Sequence, residues 1–356
     1  MKNQSEIQEL LNEVQQAEGE SFVAQTDNLI AEYLAKNAEK ATLAIKVLSI
    51  FGGFLGTSTF IAFLMLAGLY NSEIGMLILG IVLLVGSVVV NRTYNKLILD
   101  TSSIASYIAG LFLLAFGLGS MEVSENVVAI ICIFIALTTM FITQAYMLTF
   151  VSVLVINAAF LFLIADTEIY ALINCYVALL TGLLTLFITQ EANLITFSAR
   201  LNKLYEPTKI ALILVLLLSV GTISKKGLFN NEIELLWLPS VVSIGCILYV
   251  VSLIIKRLDI NSVAYRLLIL VGSVLILLPT VLAPAIACAM LVLLLCFLAN
   301  YKTGFAISII AFLYFIGQYY YDLSLTLLTK SIILMVSGVL FLVFYYLITI
   351  TYQKKS

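Results

Sequence analysis

Residues 319–346 read YYYDLSLTLLTKSIILMVSGVLFLVFYY. Two charged side chains, Asp322 and Lys330, lie near the start, and no charge follows through Tyr346. At about 1.5 Å of rise per residue, some 20 apolar residues in a helix cross the roughly 30 Å hydrocarbon core of a bilayer. A strand would leave its backbone groups unsatisfied in lipid unless a barrel closed, and barrel strands alternate apolar with polar residues, which this stretch does not do. The stretch therefore predicts a membrane-spanning helix.

Eleven similar runs precede it. The twelve lie near 47–69, 74–90, 97–118, 127–142, 146–165, 169–188, 209–224, 236–255, 267–283, 285–299, 304–319 and 325–350. Composition agrees: of 356 residues 62% are apolar and only 11% charged, with a mean hydropathy of +1.13, against about 25% charged in a soluble domain. The expected fold class is all-α, a polytopic transmembrane helix bundle of about twelve spans. In 267–299, Pro279 and Pro284 bracket an uncharged turn. Proline ends helices, so a tight, buried hairpin of two short helices is expected there. The alternative is a broken, re-entrant pair lining a cavity.

Lys and Arg concentrate in cytoplasmic loops. With a cytoplasmic N-terminus and twelve spans, fifteen of the eighteen basic residues fall inside, and only Lys225, Lys226 and Lys330 fall outside. The outer loops are acidic: Glu73, Glu122, Glu125, Asp166, Glu168, Glu232, Glu234 and Asp322. This alternation predicts both termini inside. Trp237, Tyr70, Tyr170, Tyr205, Tyr301 and Tyr352 fall near run ends, where amphipathic rings favour the headgroup zone.

Three parts follow: a cytoplasmic segment 1–45, a membrane domain 46–351 and a short basic tail 352–356. The first holds eight acids against Lys2, Lys36 and Lys40. Ile7, Leu10, Leu11 and Val14 form one helical apolar face, and Leu29, Ile30, Tyr33 and Leu34 another. Such a short segment needs something to pack on: its two helices on each other, the membrane domain, or a cytoplasmic partner protein. Its polar start also predicts that no cleavable signal peptide is present.

Several chemistries are excluded. A net charge of −2 offers no basic patch for nucleic acid. There is no histidine, and Cys132, Cys175, Cys246, Cys288 and Cys296 stand singly inside apolar runs without CxxC spacing, so neither a metal centre nor a disulfide framework is expected. No nucleophile–base pair, paired acids in one span or phosphate-cradling glycine loop occurs; no enzyme activity and no cofactor are expected.

Polar groups within the spans are the remaining candidates, because a polar group in lipid needs a partner. Asp100 lies near the inner end of the third run and Asn157 near the middle of the fifth. Asp322, Thr326 and Lys330 recur at i, i+4 and i+8, on one helical face, with the end charges about 12 Å apart along the axis. Gly52-x-x-x-Gly56 has the spacing at which membrane helices pack closely.

The pattern Tyr320, Tyr321, Leu323, Thr326-Leu327-Leu328, Lys330-Ser331, Leu334, Gly338 resembles a signature near the C-terminus of an uncharacterised bacterial polytopic inner-membrane protein family, a domain of unknown function. Some members are encoded beside a second membrane protein with a GDYxxLxY motif. The resemblance implies a bacterial inner (cytoplasmic) membrane, a possible membrane-protein partner, and Lys330 and Ser331 as site positions. The layout is also similar to the major facilitator transporters in helix number and in its long inner loop, 190–208. Their loop between the second and third spans carries a glycine, an acid and several bases; here it reads Asn91-Arg92-Thr93-Tyr94-Asn95-Lys96, without glycine or acid.

The expected function is that of a non-enzymatic component of a membrane complex. The alternative is a transporter or channel for a small or amphipathic solute, with Asp100, Asn157 and Lys330 along the route; a lipid-modifying enzyme ranks last.

Overall fold

The computed structural model describes residues 43–68, 72–93, 97–143, 145–167, 169, 171–224, 235, 237–258 and 262–322, with single positions 328, 332, 335, 338, 339 and 342. At 43–51, 53, 54, 65, 97–101, 199, 264 and 282 the backbone alone is described. The expectations for 1–42, the loop 225–234, Thr326, Lys330, Ser331, the tail and nearly all of 325–350 lie outside these residues.

Every regular element among the described residues is helical. The order is α1 (Leu43–Leu66), α2 (Glu73–Thr93), α3 (Leu97–Ser120), α4 (Glu125–Thr143), α5 (Tyr146–Asp166), α6 (Ala171–Thr189), α7 (Glu191–Phe197), α8 (Ala199–Ser224), α9 (Trp237–Arg257), α10 (Val263–Leu277), a 3-10 turn (Leu278–Leu282), α11 (Pro284–Leu298) and α12 (Lys302–Asp322). Eight of the described helices are long and apolar enough to cross a membrane. They answer to the runs read from the sequence, because in lipid only a helix satisfies each backbone group within its own segment.

Two differences have local causes. The loop expected at 190–208 is itself helical: α7 fills its first half, and α8 begins at Ala199 instead of Lys209, running through Pro207. Arg200, Lys203 and Glu206 hide this turn from an apolar-run reading, yet Leu204 and Tyr205 on its other face are buried. The pair at 267–299 is two 15-residue helices joined by the 3-10 turn. Both pack on α9. Only α11 is buried, whereas Leu267, Leu268, Val271, Leu275 and Leu278 on α10 and the turn are exposed.

The chain divides into two compact units, Met1–Gly110 and Leu111–Ser356. In the first, α2 buries Met76, Gly80, Leu84, Ser87 and Asn91, a stripe at i+3 and i+4 spacing. The Asn91 amide donates to Ser103 Oγ at 3.3 Å, and the Thr57 hydroxyl to the Ala105 carbonyl at 3.3 Å. At Gly110 a Cβ would lie 2.8 Å from Leu84 Cγ and 2.9 Å from the Gly80 carbonyl oxygen, so the backbones touch where both residues are glycine.

In the second unit α8 and α11 form the centre. Helix α8 packs on α5, α6, α7, α11 and α12, and α11 on α6, α8, α9 and α12. Ser243 on α9 meets Cys288 on α11 at 3.0 Å, and the Arg257 guanidinium donates to the Leu298 carbonyl at 2.8 Å. These two contacts show that α9 and α11 run parallel.

Polarity is arranged inside out. Thr149, Ser152, Asn174, Thr181, Thr185, Ser219, Ser240 and Ser243 are buried, while Phe134, Leu179, Leu186, Leu218, Ile310 and Leu313 are exposed. Water would penalise that distribution, but hydrocarbon does not. Several of these hydroxyls are stitched to their own helices: Thr181 donates to the Val177 carbonyl, Thr185 to Thr181, Thr189 to Thr185 and Ser243 to Pro239, each at 2.7–2.8 Å.

Candidate functional site

The most heavily built polar site is at one end of the second unit, where α6, α7, α8 and the α11–α12 corner converge on Lys209. Its side chain is almost wholly buried, at 5% exposure. The ammonium lies 4.8 Å from the ring centre of Tyr205 and 4.6 Å from that of Tyr301, inside the range of a cation–π contact. Glu191 Oε1 stands 3.7 Å away, with a side chain 37% exposed.

Each wall has a local cause. Tyr205 precedes Lys209 by one helical turn of α8. Its ring stacks on Phe187 of α6 at 4.7 Å, and its hydroxyl donates to the Phe187 carbonyl at 3.3 Å. Pro207 between them contributes no N–H, so α8 runs here without one of its ladder bonds. Glu191 opens α7, where a carboxylate suits the positive helix end.

Tyr301 is placed by the end of α11. Asn300 takes φ 52, the Asn300 N–H donates to the Phe297 carbonyl at 3.1 Å, and the Tyr301 N–H to the Cys296 carbonyl at 2.8 Å. This is the Schellman arrangement, with asparagine in the left-handed position usually held by glycine. It folds the Tyr301 ring back over Cys296. At Gly304 a Cβ would fall 2.5 Å from that ring and 2.7 Å from Cys296 Sγ. Only a glycine leaves the ring its place. Burial pushes the Tyr301 phenol well above the ordinary tyrosine range, with Tyr146, Glu206 and Cys296 beside it adding to the rise and Thr303 opposing it. The pocket wall therefore stays a neutral phenol, and Lys209 and Glu191 are the charges in direct apposition.

A second polar node lies inside the unit. Asn157, buried on α5, donates to the Val153 carbonyl at 2.6 Å and accepts from the Tyr176 hydroxyl at 2.5 Å. Cys288 on α11 lies between Ser243 at 3.0 Å and Thr181 at 3.9 Å, joining three helices. Among the described residues no group of three or more Cys, Asp or Glu could hold a metal ion.

The other sequence candidates are dispersed. Asp100 stands in α3, where the backbone alone is described, and Gly52 and Gly56 are exposed on α1. Asp322, half-buried, closes α12. Among the described candidates, Asn157 is brought into a side-chain network across helices. Sequence reasoning missed the Lys209 site because Lys209 reads as an inner-loop base once α8 is taken to start at it. The available signal was helical continuity from Ala199, which puts Tyr205 and Lys209 on one face at i and i+4.

Long apolar helices and a polar interior behind an apolar exterior define a multi-pass membrane protein. The family model for DUF4401, a domain of unknown function, matches residues 42–350, and the chain belongs to that family. No curated protein and no solved structure matches it.

Proposed function

We propose that the protein is a non-enzymatic component of a membrane complex in a bacterial inner membrane, crossing it twelve times with both termini in the cytoplasm. One observation carries this reading. The charged side chains of the second unit are biased by sign: Glu125 and Asp166 lie at one set of helix ends, and Arg200, Lys203, Lys209, Lys256, Arg257 and Lys302 lie toward the other, where Glu191 and Glu206 stand among them. Contacts support the bias. Asn126 Nδ2 donates to Asp166 Oδ2 at 2.7 Å, which brings the acidic ends of α4 and α5 together. Arg257 meets Leu298, and Lys209 lies against Tyr301, at the basic ends. The interior between holds hydroxyls and amides bonded largely to their own helices, which suits a scaffold. Purification of the full chain in native-membrane nanodiscs tests this: a second membrane protein in fixed ratio is expected, and the chain alone would overturn it.

Solute transport is the second reading. It is favoured by the buried hydroxyls of Thr149, Ser219 and Ser240, which have no hydrogen-bond partner among the described residues. Alkylation of native Cys288 by a hydrophilic maleimide discriminates. Modification in the folded protein would mean a water path to the three-helix node, and an inert thiol would favour the scaffold.

A further inference from the structure

Lys209 has an unfilled capacity. An ammonium carries three donors. Among the described residues its polar neighbour is Glu191, and at 3.7 Å that contact is an ion pair too long for a hydrogen bond, where a charge-assisted N–H···O bond measures about 2.8 Å. Two ring faces wall the remaining approach and compensate charge without accepting a directed bond. An ammonium surrounded in this way keeps donors that no protein oxygen within hydrogen-bond distance takes up.

The entrance to it is favourable for an anion. Glu191 is the exposed side of the site, and the acid sits on a seven-residue helix, α7, held to the rest through α6 and α8. Arg200 and Lys203 are exposed on α8 ahead of Lys209, and Lys302 is exposed next to Tyr301. These three bases give this end of the unit a positive balance that attracts anions over distance, while Glu206, exposed on α8, acts on Tyr205 and Tyr301 and opposes it.

We propose that Lys209 is the receptor of an oxyanion-binding site, in which a phosphate oxygen takes the place of Glu191 against the ammonium while Tyr205 and Tyr301 hold the ammonium in position. The phosphate belongs either to a free ion or to an anionic phospholipid headgroup; the chemistry at Lys209 is the same. Glu191 is then an internal competitor, so removing its charge strengthens binding.

The test is thermal unfolding of the full chain, read as the shift in midpoint on adding ligand. Inorganic phosphate is titrated onto protein in zwitterionic phosphatidylcholine nanodiscs, and separately the nanodisc lipid is changed to phosphatidylglycerol. An upward shift with phosphate assigns the free ion; a shift with phosphatidylglycerol alone assigns the headgroup. In either case Glu191→Gln should lower the apparent dissociation constant several-fold, and Lys209→Met should abolish the shift. Lys302→Met, at an exposed lysine of the same face, should leave the Glu191→Gln gain intact. The proposal is overturned if neither ligand shifts the midpoint, if Lys209→Met shifts as the wild type does, or if Glu191→Gln leaves the affinity unchanged. The last comparison stands even where Lys209→Met does not fold.

Discussion

Lys209 and Glu191 form a lopsided pair: 3.7 Å apart, with the lysine 5% exposed and the glutamate 37%. The desolvation cost therefore falls almost wholly on the cation. Glu191 keeps much of its hydration and gains little from the pair, whereas Lys209 depends on the carboxylate and the two rings.

That asymmetry predicts unequal mutants. Glu191→Gln leaves a buried ammonium facing a neutral amide. Removing one partner of a fully buried pair costs about 3–5 kcal/mol; with one partner half in water, about 1–3 kcal/mol is expected. Lys209→Met keeps the length and apolar stem and leaves the uncompensated charge on Glu191, which is partly in water, so its cost should be smaller than that of Glu191→Gln. Denaturant titration in mixed micelles checks both. Equal losses would show the pair to be symmetric.

Asn157 and Tyr176 join α5 to α6 through one hydrogen bond of 2.5 Å. Tyr176→Phe removes the donor and keeps the ring. Interhelical hydrogen bonds in membranes average about 0.6 kcal/mol and reach about 1.7, so a double-mutant cycle with Asn157→Leu should give a coupling in that range. A coupling of zero would mean that water or lipid replaces the bond at no cost.

Two glycines should be intolerant and one indifferent. Gly110→Ala drives a methyl onto Leu84 and the Gly80 carbonyl, and Gly304→Ala drives one onto the Tyr301 ring and Cys296, whereas a Cβ at Gly86 meets nothing within 4 Å. Overpacking typically costs about 1–3 kcal/mol. The first two variants should unfold that much more readily, and Gly86→Ala should match or exceed the wild type.

Asn300 sits at φ 52 at the end of α11. Left-handed backbone costs an ordinary L-residue about 1–2 kcal/mol. Asn300→Ala should be destabilised by about 1 kcal/mol, and Asn300→Gly should be neutral or better. Reversal of that order in thermal unfolding would rule out the Schellman turn as the device that sets Tyr301.

These positions also mark what the sequence could and could not convey. Most of the runs were legible, because the bilayer sets how long an apolar helix must be: 146–165 is α5 almost residue for residue, and Glu125 and Asp166 fall at helix ends as read. Which faces meet was not legible. Lipid is as apolar as a core, so a membrane helix carries little hydrophobic periodicity to point its buried side, and the small residues that do so at Gly80 and Gly110 were passed over for Gly52 and Gly56. The start of α8 was lost to Pro207, and with it the site at Lys209.

The excess of basic residues at one set of helix ends bears most directly on orientation, and one labelling experiment decides it. In a chain whose five native cysteines are alanine, Met121→Cys lies between α3 and α4 at the acidic ends, and Lys256→Cys near the end of α9 at the basic ends. A membrane-impermeant maleimide on intact cells is predicted to label position 121 at once and position 256 only after permeabilisation. Labelling of 256 in intact cells, or of both sites alike, would contradict the orientation on which the account rests.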